Sequence, residues 1–190
     1  GGERRTNPIY SNWIMDPRSE HWARVVLEMA ERRLLAKGCD GIFLDTIANV
    51  EDPTLPKAMV AQLVPAAAFL IRRIRERFPH ALLVQNSGIN LLHRFTAPYL
   101  DGICWENFPL KWPEDYWSLN KLNELERLSR KIGLRVLLLA RMEDPIPSAT
   151  LLESLKGLQI RASQHGLLFY AAPKDYTGSV NTIFRFGPAH

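Results

Sequence analysis

Two carboxylates recur at the same place in a repeated seven-residue pattern. The segments Cys39–Asp45 and Leu100–Glu106 both contain Asp-Gly-Ile, followed three residues later by an acid, which is Asp45 in the first and Glu106 in the second. A short apolar run that ends in an acid is typical of a strand with a carboxylate at its tip. Two such groups can share acid and base duties, one donating a proton while the other stays ionised. We therefore predict that Asp45 and Glu106 are a catalytic pair.

Strand alternation supports this pairing. If Asp45 points inward, so does Phe43, and if Glu106 points inward, so does Cys104. One further strand, which ends at Asn86, lies between the two in sequence. Two strand spacings separate the backbones by roughly 10 Å, so converging side chains could reach the ~5 to 9 Å that glycoside hydrolysis uses. The competing interpretation is that strand-end acids only cap turns.

Asp40 and Asp101 begin the two segments and therefore lie at the opposite end of the strands. We expect them to be structural, capping the preceding helix or turn.

A metal site is an alternative use of the same acids. Asp45, Glu106 and Asp144 together could hold Mg²⁺ with hard oxygen ligands, as in a lyase or isomerase. Neither His80 nor His93 lies at a strand tip, so no obvious base accompanies them. We therefore expect no metal and no other cofactor.

The elements that position these residues alternate between short apolar runs and longer segments of helical period. This pattern predicts an α/β fold with parallel strands, and the absence of a glycine-rich phosphate loop after any strand favours a barrel over a nucleotide-binding sheet. The predicted fold is a (β/α)8 TIM-barrel type, incomplete, in a single domain over residues 1–190, because a full barrel needs eight strands. The five strand candidates are Gly41–Asp45, Leu82–Asn86, Gly102–Glu106, Arg135–Ala140 and Leu167–Ala172.

Composition narrows the class of protein. The chain has 190 residues, 46% of them hydrophobic, and a formal charge of +4. The basic residues are scattered and no apolar run reaches the roughly 20 residues of a membrane span, so neither nucleic-acid binding nor membrane insertion is expected. The two cysteines, Cys39 and Cys104, are predicted to be buried free thiols.

The segments after the strands suggest how a ligand is held. Trp112 is a candidate for stacking on a sugar ring, Asn86 for hydrogen bonds to a hydroxyl, and Tyr170 for the floor of the site. Acidic turns, which include Asp144, follow several strands and would gather at one mouth, where they attract a cationic ligand such as an amino sugar polymer. The plainer interpretation is that these acids suit turns and helix N-termini.

Four segments resemble a known family, the endo-α-1,4-polygalactosaminidases of glycoside hydrolase family 114. They are Asn12–Asp16, Lys37–Thr46, Gln85–Gly88 and Asp101–Asn107, in this order. The resemblance extends from about Asn12 to Tyr170, which corresponds to the fourth through eighth strands of the family barrel. It implies that Asp45 is the nucleophile and Glu106 the acid/base of a retaining mechanism, and that the protein is extracellular or periplasmic.

The sequence departs from this family in two ways. The first three barrel strands are missing, and cysteines stand at positions 39 and 104, where the family usually has apolar residues. An open barrel exposes strand edges, so self-association through the open edge is expected as a possible partner interaction. A non-catalytic glycan-binding remnant is the alternative that the missing strands suggest.

Overall fold

The computed structural model describes residues 6–7, 12–13, 15–143 and 148–173. Within these ranges a five-stranded parallel sheet forms the centre of the fold, and its strands lie side by side in chain order. Two short strands, β1 (Thr6–Asn7) and β2 (Asn12–Trp13), form a separate antiparallel pair that was not predicted. The five strands of the sheet are β3 (Gly41–Leu44), β4 (Leu82–Asn86), β5 (Gly102–Phe108), β6 (Arg135–Met142) and β7 (Leu168–Pro173).

These strands confirm the predicted α/β class, since five parallel strands alternate with helices as in part of a TIM barrel. The helices are α1 (Glu20–Met29), α2 (Lys57–Arg77), α3 (His93–Thr96), α4 (Tyr116–Ile132) and α5 (Ala149–Gln164), with shorter turns at Ala30–Leu34, Leu35–Lys37, Ile47–Glu51 and Ala97–Tyr99. Among the described helices, none is both long and apolar enough to cross a bilayer.

Alternation along the strands separates the two faces of the sheet. Ile42, Ile103 and Leu138 are buried in the main apolar core, which the helices cover. Phe43 and Leu82 face the other way and are both 54% exposed. This second face, which we call the inner face, is the one toward which a closed barrel would direct its side chains.

A partly buried ion pair fixes the opposite end of the sheet. Asp101 accepts a hydrogen bond from Nη2 of Arg75 at 2.5 Å and another from the backbone N–H of Leu83 at 2.8 Å. Arg75 also donates to the carbonyl oxygens of Tyr99 and Ala81. Asp101 is therefore structural, as predicted, although it joins α2 to the strands rather than capping a helix.

The two cysteines differ in burial. Cys104 on β5 is buried, whereas Cys39 is exposed in the turn before β3. The prediction of a buried thiol was therefore wrong for Cys39. The helical segment ends at Gly38, whose φ of 84° turns the chain, and this places Cys39 outside the helix and before the sheet.

The glycines of the two Asp-Gly-Ile segments give a stability prediction. A Cβ added at Gly41 would overlap the carbonyl oxygen of Leu82 and lie 2.6 Å from its Cβ, whereas one at Gly102 would lie 3.2 Å from the carbonyl oxygen of Arg135. Gly41→Ala is expected to lower the free energy of unfolding by at least about 2 kcal/mol and Gly102→Ala by about 1 kcal/mol or less. Urea denaturation measures both, and equal losses would contradict the assigned spacing of β3 and β4.

Candidate active site

Asn86 joins the two predicted catalytic carboxylates. Its Nδ2 donates to Oδ1 of Asp45 at 2.9 Å and to Oε2 of Glu106 at 2.7 Å. These two oxygens can therefore be at most about 5.6 Å apart, the sum of 2.9 and 2.7 Å. The three residues come from the carboxyl ends of β3, β4 and β5, which are neighbours in the sheet. The parallel register thus brings together three of the residues that the sequence identified.

The orientation of the Asn86 amide follows from its neighbours. Only the NH₂ group of asparagine can donate two hydrogen bonds, and both carboxylate oxygens need a donor. Asn86 is 8% exposed, and its Oδ1 is buried without a partner among the described residues. Burying an oxygen without a hydrogen-bond partner costs free energy, so the Oδ1 side of the amide does not stabilise this position. The two hydrogen bonds from Nδ2 to the carboxylates hold the side chain in place.

Each carboxylate keeps one oxygen available. Oδ1 of Asp45 accepts a second hydrogen bond from the backbone N–H of Thr46 at 2.8 Å. Within the described ranges, Oδ2 of Asp45 and Oε1 of Glu106 have no hydrogen-bond partner. A reacting group can therefore approach one oxygen of each acid while the other oxygen stays fixed.

An unusual backbone conformation follows each of these three residues. Thr46, Ser87 and Asn107 have φ values of 59°, 57° and 58°, and they are the non-glycine residues with positive φ in the described part of the chain. Such conformations cost of order 1 kcal/mol or more each and are found mostly at functional sites. Across the described ranges, these strained conformations are thus concentrated where Asp45, Asn86 and Glu106 end their strands.

At Asn107 the unusual conformation accompanies a bulge. The pairing of β5 with β6 passes from Glu106↔Leu139 directly to Phe108↔Ala140. The extra residue turns Phe108 into the core, where its ring contacts Trp105 at a centroid distance of 5.3 Å. Glu106 is therefore the last inward-facing residue of its strand before the chain leaves the sheet.

Cys104 lies two residues before Glu106 on the same face. Burial raises the pKa of its thiol to about 12, with further contributions from the negative charges of Glu106 and Asp45. The thiol therefore stays protonated at neutral pH and does not compete with the carboxylates as a nucleophile.

One wall of the site is the segment between β4 and α3, and it is held from two sides. The Glu51 carboxylate accepts hydrogen bonds from the backbone N–H groups of Asn90, Leu91 and Leu92 at 3.0, 2.7 and 2.8 Å. From α4, Nζ of the buried Lys121 donates to the carbonyl oxygen of Asn90 at 3.0 Å. The negative Glu51 thus holds backbone N–H groups of this wall, and the positive Lys121 holds one of its carbonyl oxygens.

Lys121 belongs to a charged cluster centred on Glu124. Burial opposes the ionisation of Glu124, but hydrogen bonds from Arg94 and Lys121 lower its pKa to about 2. His93, whose side chain is fully buried, places Nε2 3.2 Å from Oε1 of Glu124 without hydrogen-bond geometry. Burial lowers the pKa of His93, although Glu124 opposes that shift, so the imidazole is neutral at pH 7.

A pocket of about 270 Å³ opens beside the wall. Of the two described catalytic candidates, only Glu106 lines it. The lining of the pocket also includes the aromatic residues Trp105 and Trp117, and the acids Glu51 and Asp52 from the loop after β3.

The remaining predicted site residues lie elsewhere. The Trp112 ring stacks on His165 at a centroid distance of 5.2 Å, has the Arg161 guanidinium 4.6 Å from its centre and meets the Phe108 ring edge-on at 6.0 Å, so it packs between the C-terminal end of α5 and the core. Tyr170 is level with Glu106 in the sheet, because Leu139 pairs with both. Asp144 lies outside the described residues. Trp117 belongs to a group of aromatic residues that follows Glu106 in the sequence, but Trp112 was chosen from that group for stacking, and Lys121 was not identified. Both Trp117 and Lys121 are on α4, and only the path of the chain brings them near the site.

Several loop acids serve as turn and helix caps. Asp52 accepts from the N–H and hydroxyl of Thr54 at 2.8 and 2.6 Å, and Asp115 caps α4 by accepting from the N–H of Ser118 at 2.8 Å. The plainer interpretation of these acids therefore holds, although Asp52 also faces the pocket. No cluster of three or more His, Cys, Asp or Glu side chains suited to a metal occurs among the described residues.

The Glu124 cluster predicts how stability changes with pH. Glu124 is more acidic in the folded state, so its contribution is present above about pH 4.5 and is lost as the pH falls toward 2. His93 is less basic when folded, so protonation of the unfolded chain destabilises the fold below about pH 6.5. Urea midpoints should therefore fall steadily between pH 7 and pH 2.

Glu124→Gln should flatten the acidic part of this curve. The exposed Glu153, paired only with Lys156, provides the control Glu153→Gln. The assignment fails if both variants keep the wild-type dependence between pH 5 and pH 2.

Solved structures share the fold. The glycoside hydrolase domain of PelA from Pseudomonas aeruginosa gives a TM-score of 0.70 at 16% identity, covering 92% of this chain and 68% of that one. A variant of the same domain gives 0.69 at 14% identity, covering 90% and 66%. The chain thus spans about two thirds of the length of those domains, and at such identities the likeness shows the fold alone. No curated protein matches the sequence.

The family is shown by the sequence itself. Residues 2–150 match the model of a family described as hypothetical glycosyl hydrolase family 15. The match spans more than half of the chain, and it includes both Asp-Gly-Ile segments and the strand that ends at Asn86. The chain belongs to this hypothetical glycosyl hydrolase family.

Proposed function

We propose that the protein hydrolyses an α-1,4-linked, galactosamine-type polysaccharide by a retaining mechanism. Asp45 is the nucleophile and Glu106 the acid/base. The observation that carries this proposal is the shared hydrogen-bond donor, Nδ2 of Asn86, which limits the distance between the two carboxylates.

The distance distinguishes two mechanisms. Retaining glycosidases hold their carboxyl groups ~5 to 5.5 Å apart, whereas inverting enzymes hold them ~6.5 to 9.5 Å apart to admit a water between the general base and the sugar. The bonded oxygens of Asp45 and Glu106 are within about 5.6 Å of each other, the sum of 2.9 and 2.7 Å. This limit supports direct attack on the sugar.

The hydrogen bonds support the division of roles. Asp45 accepts from two N–H groups, which stabilise negative charge, and its free Oδ2 can attack the anomeric carbon. Glu106 accepts from Asn86 alone among the described residues, and its free Oε1 can carry the proton for the leaving oxygen. The C–O bond to the leaving sugar breaks as that oxygen takes the proton, and a glycosyl ester forms on Asp45.

The second step regenerates the enzyme. Glu106, now ionised, takes a proton from water while the water oxygen attacks the anomeric carbon. The ester bond breaks, Asp45 leaves as a carboxylate, and the sugar is released with its original configuration. Asn86 remains hydrogen-bonded to at least one of the two side chains in both steps and so keeps their relative positions.

The substrate class rests on charge and on resemblance. Glu51 and Asp52 line the pocket beside Glu106 and give it negative potential, which favours a protonated amino sugar over uronic acids or phosphates. The resemblance to polygalactosaminidases points to galactosamine and to an extracellular or periplasmic location. The PelA domain, whose fold this chain shares, is itself a glycoside hydrolase domain.

Hydrolysis of polygalactosamine by the purified chain tests the proposal. Asp45→Asn and Glu106→Gln should each reduce kcat by about 100-fold or more, because each removes a group that forms or transfers a bond. Asp40→Asn is the matched control, since Asp40 is an exposed acid at the other end of the same segment. The release of reducing ends measures the hydrolytic activity of the wild type and of the three variants.

Two outcomes would contradict this function. Near-wild-type hydrolysis by either active-site variant would remove that acid from the mechanism. Binding of a galactosamine oligomer without turnover by the wild type would instead indicate a non-catalytic glycan-binding protein.

A further inference from the structure

We propose that the pocket beside Glu106 is the subsite for the leaving sugar, that it takes one hexosamine unit with a free amino group, that Trp117 is its stacking surface and that Asp52 is its counter-ion. This inference rests on the proposed function. In that mechanism the acid stands on the side of the departing sugar, and Glu106 lines the pocket whereas Asp45 does not.

The size of the pocket suits one sugar unit. Its volume of about 270 Å³ lies just below the ~300 Å³ at which pockets for drug-sized ligands begin. Its lining comes from the loop after β3, from the segment after β4, from the end of β5 and from Trp117 in the first turn of α4.

Trp117 has the exposure that a stacking surface requires. It lies in the first turn of α4, which Asp115 caps, and its indole remains 46% exposed. Its contact with Trp105 is nearly perpendicular, at 85° and 5.7 Å between centroids, and Trp105 is itself buried. Trp105 thus supports the Trp117 ring from the core. Trp112, in contrast, is already stacked on His165.

Asp52 has the free oxygen that a counter-ion requires. Both hydrogen bonds from Thr54 go to Oδ1, and Oδ2 has no partner among the described residues. The same hydrogen bonds lower the pKa of Asp52, so its charge persists in mild acid. Glu51, the other acid of the pocket, has both oxygens engaged by backbone N–H groups. Apart from Glu106, the proposed acid/base, Asp52 is therefore the acid of this pocket with an oxygen available to the ammonium group of an amino sugar.

A comparison of two substrates tests the stacking surface. One is a galactosamine oligomer, in which a sugar leaves, and the other is the glycosyl fluoride of a galactosamine oligomer, in which fluoride leaves and nothing reaches the Trp117 ring. Trp117→Ala should lower kcat/KM for the first about tenfold, from loss of ring contact, and change the second by less than about threefold. Trp117→Phe should retain most activity on both.

The matched control is Tyr116→Ala, because Tyr116 is 86% exposed and does not line the pocket. This variant should have the wild-type kcat/KM for both substrates. An equal loss on both substrates with Trp117→Ala would show a structural role, and no loss on either would show that the ring is not used. Each result overturns the subsite.

The counter-ion is tested with leaving sugars that differ only in N-acetylation. Asp52→Asn keeps the acceptor for Thr54 and removes the charge, so kcat/KM should fall about two- to fivefold for the free amine and stay constant for the N-acetylated sugar. Glu114→Gln, an exposed acid outside the pocket, is the control. A loss that is independent of acetylation would overturn this role.

Failure of the wild type to hydrolyse any of these substrates would overturn the proposed function, and the subsite with it.

Discussion

The hydrogen bonds from one amide to two carboxylates are the constraint on which this site depends. Nδ2 of Asn86 reaches both Asp45 and Glu106, and it can do so only because three parallel strands end side by side. The amide replaces the water that two neighbouring acids would otherwise share, and it reduces their repulsion by placing a positive dipole end between them. The separation of the two bonded oxygens follows from this contact, and the proposed retaining mechanism rests on it.

The rest of the fold holds that contact in place at a cost. Left-handed residues follow each of the three site residues, and the bulge at Asn107 ends the inward face of β5 at Glu106. The apolar core beneath the sheet, together with the Arg75 and Asp101 pair at its far end, supplies the stability that such strain consumes. The Lys121 and Glu51 contacts then fix the wall beside Glu106, so these two charged side chains help to set the shape of the pocket.

The sheet and the proximity of Asp45 and Glu106 could be predicted from the sequence because both depend on a period of two. Asp-Gly-Ile followed by an acid fixes which side chains share a face, and parallel order fixes where the tips meet. The bridging role of Asn86 could not be predicted, because an asparagine at a strand tip suits a sugar hydroxyl equally well. Trp112 rather than Trp117 was identified because loop paths have no periodicity, and Cys39 was placed inside because the turn after Gly38 is a matter of backbone geometry.

We propose that Asp45 and Glu106 are too close to admit a water between Asp45 and the sugar. The configuration of the first-formed product measures this directly, by proton NMR recorded before mutarotation during hydrolysis of an α-linked galactosamine oligomer. We predict that the new reducing end appears first as the α-anomer, because two displacements at the same carbon restore its configuration. Initial appearance of the β-anomer would show a single displacement by water and would contradict the account.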